Sequence, residues 1–369
     1  MSTYHLAVIP GDGIGPDVIA ETVKTLHALS TVMGDLLFTT REFEWGTEHY
    51  LRTGVMMPAD GLATLENGGF DGILLGPVGD PRVPDHVTLW GLLLPIRQGF
   101  DQYVNLRPLR LLPGVPGPLA GKGPADIDVI CVRENTEGEY SGVGGRVHRG
   151  TRDEVAIQTV VFTRTGTERI VRYAFEYART HGRRKVTSAT KSNSLQYSMV
   201  FWDDVFKSVA AEYPSIAHEH QLVDSLAARF VLRPESLDVI VGSNLFGDIL
   251  SDLGAAISGS MGLAPSANVN PERRYPSLFQ AIHGSAPDIA GRSIANPIAS
   301  IWSAQLMLDF FGELAAAGCL MGAIETVLAS GRSLTPDLGG TATTTAVGEA
   351  IRAALEYQQL RCPPPGAVG

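Results

Sequence analysis

The chain has 369 residues, 44% of them hydrophobic, enough for about two packed domains. Its 29 basic against 39 acidic residues give a net charge of −10 with no Lys/Arg stripe, so nucleic acid is excluded as an expected partner. A small anion can still bind where a local arginine cluster outweighs the global repulsion. The opening MSTYHLAVIPGD lacks a signal-peptide layout, and no apolar run approaches the ~20 residues of a membrane span. Cys131, Cys319 and Cys362 form no CxxC. The expectation is a cytoplasmic protein with no membrane partner, no disulfide framework and no cysteine metal site.

In chain order, the apolar run Leu6–Ile9 predicts a strand. Val18, Ile19, Thr22, Val23 and Leu26 then fall on one face of a helix over 17–30. Further strands are expected at Asp71–Leu75, Ile127–Val132, Val186–Thr190 and Leu237–Val241, and helices at 166–180, 194–211 and 244–257. The Pro/Gly-rich 108–124 reads as a connection, 142–163 as β-rich, and 313–329 as a packing helix. The HEH at 218–220 is expected in an exposed loop or edge rather than on zinc, and the tail PPPGAVG is expected to be disordered. Apolar strands alternating with helices predict α/β architecture with a mainly parallel sheet.

Between the first strand and helix stands GDGIGPD. Gly11, Gly13 and Gly15 give GxGxG, with Pro16 where a Rossmann fingerprint has its third glycine. No Lys-Ser/Thr pair follows, so a P-loop phosphotransferase is excluded. A turn needing positive φ at the glycines and a ligand loop both remain open.

Ligands of open α/β sheets gather at the carboxyl ends of strands. There the chain delivers Arg133, Glu134, Asn135 and Tyr140 after one run, Lys191 and Asn193 after another, and Asn244 before GDILSD. Asp248 and Asp252 are four apart on one helical face, where two carboxylates repel unless a cation lies between them. Their oxygens suit Mg2+ or Mn2+ better than zinc. Arg97 and Arg107 bracket QGFDQYVNL. With Arg133 they suggest a substrate carrying more than one carboxylate.

The segments IPGDGIGPDV, NLRP, VRENTEGEYSG, TKSN, NLFGDILSDL, HGSAPDIAGRSIANP and TPDLGGTATT, in order from about 5 to 355, resemble the isocitrate/isopropylmalate dehydrogenase family of metal-dependent β-decarboxylating dehydrogenases. The resemblance implies a large mixed, mainly parallel sheet and a non-Rossmann NAD site. It implies a cofactor domain over 1–102 and 259–369, and a dimerisation and substrate domain over 103–258. An intersubunit β arm near 142–163 implies a homodimer with shared active sites. Carried over position by position, Arg97, Arg107 and Arg133 match carboxylate binders, and Tyr140 and Lys191 the catalytic pair. Asp248 and Asp252 match metal ligands of one subunit, with Asp224 and Lys191 reaching in from the other. His283, Gly284, Ser285, Ala286, Asn296 and Ile14 match residues around the cofactor, and Asp288 the acid facing its ribose. An acid there accepts the 2′-hydroxyl and repels a 2′-phosphate, so NAD is expected. The metal is expected to be Mn2+ or Mg2+, and a K+ requirement stays open.

Substrate choice is expected to lie in PDHVTLWGLLLPIRQGF, residues 84–100. Leu93 and Leu94 match the isopropylmalate pattern, but Trp90 stands where that pattern has an acid. A tryptophan would fill space needed by a larger C3 substituent, unless it is simply a helix residue packed in the core. The stretches MMPADG, PDHVTLWG, FDQYVNLRP, GGRVH and NPERRYPSLF resemble the D-malate/tartrate branch. The expectation is oxidation and decarboxylation of D-malate to pyruvate and CO2, with tartrate as a further substrate. The competing readings are 3-isopropylmalate dehydrogenase and a non-catalytic regulatory subunit. The latter is disfavoured because Tyr140, Lys191 and the aspartates are all present.

Overall fold

The computed structural model describes residues 1–359; Cys362 and the PPPGAVG tail lie outside them. Twelve strands form among the described residues: β1 (Ser2–Ile9), β2 (Leu36–Glu42), β3 (Gly72–Leu75), β4 (Val104–Arg110), β5 (Asp128–Glu134), β6 (Gly144–Val147), β7 (Val155–Gln158), β8 (Lys185–Thr190), β9 (Ala217–Leu222), β10 (Val239–Gly242), β11 (Pro265–Val269) and β12 (Ser277–Ala281). Ten build one sheet in the order β2-β1-β3-β12-β11-β4-β5-β10-β8-β9. Pairing is parallel from β2 to β12 and from β5 to β9, and antiparallel across β12-β11-β4-β5. The sheet is thus mixed and mainly parallel, flanked by helices. Strands β2, β1, β3, β12 and β11 come from the two ends of the chain, and the other five from its middle.

Burial explains the elements. Leu6, Ala7, Val8 and Ile9 are all buried, as a parallel strand covered on both faces requires. The helix Gly15–Met33 turns Val18, Ile19, Leu26 and Leu29 inward, and Gly34 in the left-handed conformation ends it. Helix Leu314–Ser330 packs within the core as expected. The HEH segment lies in β9, an edge strand, with both histidines exposed. The expected helix over 194–211 begins only at Ser198, because residues 192–197 are taken by the turn leaving β8. The β-rich stretch folds as the exposed hairpin β6-β7, separate from the main sheet.

The GDGIG segment is a tight turn locked into its surroundings. Gly11 and Gly13 hold φ of 72° and 58°, whereas Gly15 is already helical. A Cβ on Gly13 would lie 2.0 Å from the Ser285 carbonyl oxygen, the same oxygen that accepts the Ile14 N–H at 2.9 Å. The buried carboxylate of Asp12 accepts from Thr47 N–H, Thr47 O–H and Gly79 N–H at 2.7–2.8 Å. Gly13→Ala is therefore expected to cost at least about 1–3 kcal/mol from backbone conformation alone, read as a lowered thermal midpoint. An unchanged midpoint would contradict this account.

Candidate active site

The carboxyl end of β5 and the strand β4 aim buried guanidinium groups at the helix Asn244–Ile257. Ser243 caps that helix by accepting the Phe246 N–H, and Phe246 and Leu250 turn inward. With this face anchored, Asp248, Ser251 and Asp252 line the side that meets the arginines. Ile249, beside Asp248 in sequence, is exposed.

Arg97, Arg107 and Arg133 are 4%, 4% and 1% exposed. Arg133 donates from Nε and Nη2 to Asn244 Oδ1 at 3.1 and 2.7 Å, and from Nη1 to Asp248. Arg107 lies inside β4. It donates to Asn105 Oδ1 and Ser251 Oγ, both at 2.6 Å, and lies 3.3 Å from Asp248 and 3.5 Å from Asp252. Asn105 is itself held by Ser266 and Asn268, buried partners that sequence reading missed. Arg97 has no partner for its Nε.

Burial, then Arg133, lowers the pKa of Arg107 to about 10, and burial with both neighbouring guanidiniums pulls that of Arg97 further below its ordinary value. Arginine nevertheless stays charged at neutral pH. Burial opposes ionisation of Asp248, but Arg133, Arg107 and Arg97 outweigh it and hold the carboxyl below its usual range. Asp252 goes the other way, raised by burial that Arg107 only partly offsets, with the Asp248 charge adding to the rise. Tyr140 donates to Asp248 Oδ2 at 3.1 Å, and its pKa is raised by burial and by that carboxylate.

Lys191 and Asp224 stand apart from this cluster as their own ion pair, Nζ to Oδ1 2.8 Å. Among the described residues no group of three or more His, Cys, Asp and Glu side chains could hold a metal ion. One chain therefore carries two separate groups, one with arginines, tyrosine and two aspartates, the other with lysine and one aspartate.

Trp90 lies in a π-helical turn, Leu89–Leu93, with its ring 2.8 Å from where a Cβ on Gly142 would stand. It is 42% exposed, so it is not packed in the core, whereas Leu93 and Leu94 are buried.

A separate cavity of about 560 Å3 is lined by Ile14, His283, Gly284, Ala286 and Asn296, together with Ser260, Met261 and Asp337. The volume suits a cofactor fragment. His283 Nδ1 bonds the Gly284 carbonyl, which leaves Nε2 buried without a partner, and burial depresses the pKa of the ring. A neutral imidazole with an unpaired ring nitrogen can accept an N–H. Ser285 is buried outside the lining and Asp288 is exposed. The sequence pattern does not single out Asp337. It accepts from Ser260, Asn296 and Thr335 at 2.5–3.1 Å, and only its place in the glycine-rich TPDLGG signalled it.

The open, mainly parallel sheet thus carries an arginine-carboxylate cluster at its strand ends and, apart from it, a cavity of cofactor-fragment size. The family model described as isocitrate/isopropylmalate dehydrogenase matches residues 5–351, and the chain belongs to that family. It is 54% identical over 351 residues to a probable tartrate dehydrogenase/decarboxylase of Agrobacterium vitis, covering 95% of this chain and 97% of the relative. It is also 54% identical over 358 residues to the decarboxylating D-malate dehydrogenase of Escherichia coli, covering 95% and 98%. Among solved structures, isocitrate dehydrogenase from Methylococcus capsulatus superposes with a TM-score of 0.85 at 34% identity, covering 96% of this chain and 99% of that one.

Proposed function

We propose that the protein oxidises and decarboxylates D-malate to pyruvate and CO2 with NAD+ and a divalent cation, and that tartrate is a further substrate. The observation that carries this reading is the convergence of three buried arginines beside Asp248 and Asp252, with Arg97 Nε unpaired. A dicarboxylate satisfies that unpaired donor and offsets the crowding of positive charge.

The donor set fits Mn2+ or Mg2+. Asp248 and Asp252 supply hard oxygens, the raised pKa of Asp252 marks a carboxylate that gains from a cation, and Asp224 of a second copy would complete the set. When bound, the ion would lower the pKa of a substrate hydroxyl and draw charge from the oxygen as CO2 leaves. The cavity with the unpaired His283 Nε2 fits an adenosine, held also by Ile14, Ala286 and Asn296; the bound NAD+ would take the hydride. Asp288 would meet the ribose and favour NAD over NADP.

The chain's own residues then do the following. Arg97, Arg107 and Arg133 hold the carboxylates. Lys191 of the second copy takes the hydroxyl proton, directly or through Asp224. Tyr140 returns a proton to the carbon that loses CO2. A homodimer with shared sites would bring these groups together, and their separation within one chain supports that reading. The names of the relatives and the Trp90 ring beside Gly142 support a small C3 substituent.

D-malate, tartrate, 3-isopropylmalate and isocitrate, each with NAD+ or NADP+, with and without K+, are to be compared by NADH or NADPH absorbance. D-malate with NAD+ is expected to give the highest kcat/KM, with tartrate second. Chelator is expected to abolish the rate, and Mn2+ or Mg2+ to restore it. A clear preference for isopropylmalate overturns the substrate assignment, and full activity in chelator overturns the metal.

A further inference from the structure

Tyr140 has no helix or strand to hold it. It lies in a turn between Gly138 and Gly142, whose φ values are 72° and 75°. Such a segment is flexible unless other groups fix it. Main-chain bonds pin it at Gly138, which is bridged to Val161, and side chains hold the residues that follow. Gln98 Nε2 donates to the Tyr140 carbonyl at 3.2 Å, and Gln158 Nε2 donates to the preceding carbonyl, that of Glu139, at 3.1 Å. The Glu139 carboxylate in turn accepts from Ser243 O–H at 3.0 Å and Leu245 N–H at 3.1 Å, which ties the turn to the helix carrying Asp248.

Of these anchors, Gln98 alone comes from the segment that also supplies Arg97. It follows that arginine on the short helix Leu94–Gly99. Arg97 is buried while Gln98 is half-buried, so the two neighbours face different ways: one toward the substrate site, the other onto the tyrosine backbone. The bond therefore couples the group proposed to hold a carboxylate to the group proposed to deliver a proton.

We infer that Gln98 is a positioning residue, whose amide fixes the Tyr140 backbone so that the phenol stays at its proton-donating place beside Asp248. This rests on the role proposed for Tyr140. Because Gln98 acts on the main chain and leaves Arg97 in place, its loss affects the step Tyr140 performs more than it affects substrate binding.

Gln98→Glu keeps the size and removes the donor, and Gln98→Ala removes both. The bond is a neutral hydrogen bond, whose net value corresponds to about a 3–10-fold effect. Both variants are expected to lower kcat for D-malate by about that factor, with KM changed less than about twofold. In a Tyr140→Phe background, Gln98→Glu is expected to cause no further loss. A packing role alone would leave Gln98→Glu near wild type while Gln98→Ala falls, and that result overturns the inference. An equal loss in the Tyr140→Phe background also overturns it, while leaving the proposed reaction intact. If Tyr140→Phe itself keeps full kcat, the role of Tyr140 fails and the inference with it.

Discussion

Lys191→Met is expected to lower kcat for D-malate oxidation about 10³-fold while KM changes by less than about threefold. The split follows from where the charges lie. The substrate's carboxylates have three arginines at the other half-site, and none of these touches Lys191, whose ion-pair partner is Asp224 at 2.8 Å. Methionine keeps the apolar stem and removes the amine, so the proton of the 2-hydroxyl loses its acceptor. Lys191 begins the turn after β8, where its carbonyl accepts from Ser194 and Leu195 N–H through the main chain alone. The variant should therefore fold, with a thermal midpoint near that of the wild type. Steady-state kinetics on the purified variant with saturating Mn2+ and NAD+ measures both constants. A loss of tenfold or less removes Lys191 as the base.

The same residues show what was legible in the sequence. Strands β1, β3, β5 and β10 are legible because their buried faces leave short apolar runs bounded by polar residues, while β8, KVTSAT, shows only Val186 and Ala189 among small hydroxyl residues. The edge strands β2 and β9, LLFTTRE and AHEHQL, carry no such run, since one side of each meets water. The central β11 and β12 escaped for a different reason. They hold Ser266, Asn268 and Ser277, polar side chains buried in a hydrogen-bonded network that reads as loop by composition alone. The charged site was easier to read because charge at a strand end is conspicuous: Arg133, Lys191 and the Asp248/Asp252 pair all appear where parallel strands finish. Their neutral partners, Asn244 on Arg133 and Ser251 on Arg107, carry no such mark, because ordinary polar residues acquire their roles only through contacts more than a hundred positions away. Trp90 is the reverse case. Its bulk was visible, but its exposure and its contact with Gly142 depend on how the π-helical turn meets the base of the hairpin.

Mixing two inactive variants should restore activity. Lys191→Met removes one half of the proposed site, and Asp252→Asn damages the other, leaving a neutral amide where the cation needs a carboxylate. Each homodimer carries the same defect in both sites. In a hybrid with twofold symmetry of assembly, one site combines both substitutions, and the other combines wild-type Lys191 and Asp224 with wild-type Arg97, Arg107, Asp248 and Asp252. Equal mixing with full subunit exchange makes about half the dimers hybrid, so about a quarter of all sites become whole. Activity should rise to about a quarter of the wild-type value, hundreds of times above either variant alone, with the KM for D-malate returning to that of the wild type. Unfolding and refolding the mixture together supplies the exchange, and mixing without refolding is the control. No gain after verified exchange would mean that each chain builds its site alone, which would contradict the division seen between the Lys191–Asp224 pair and the arginine cluster.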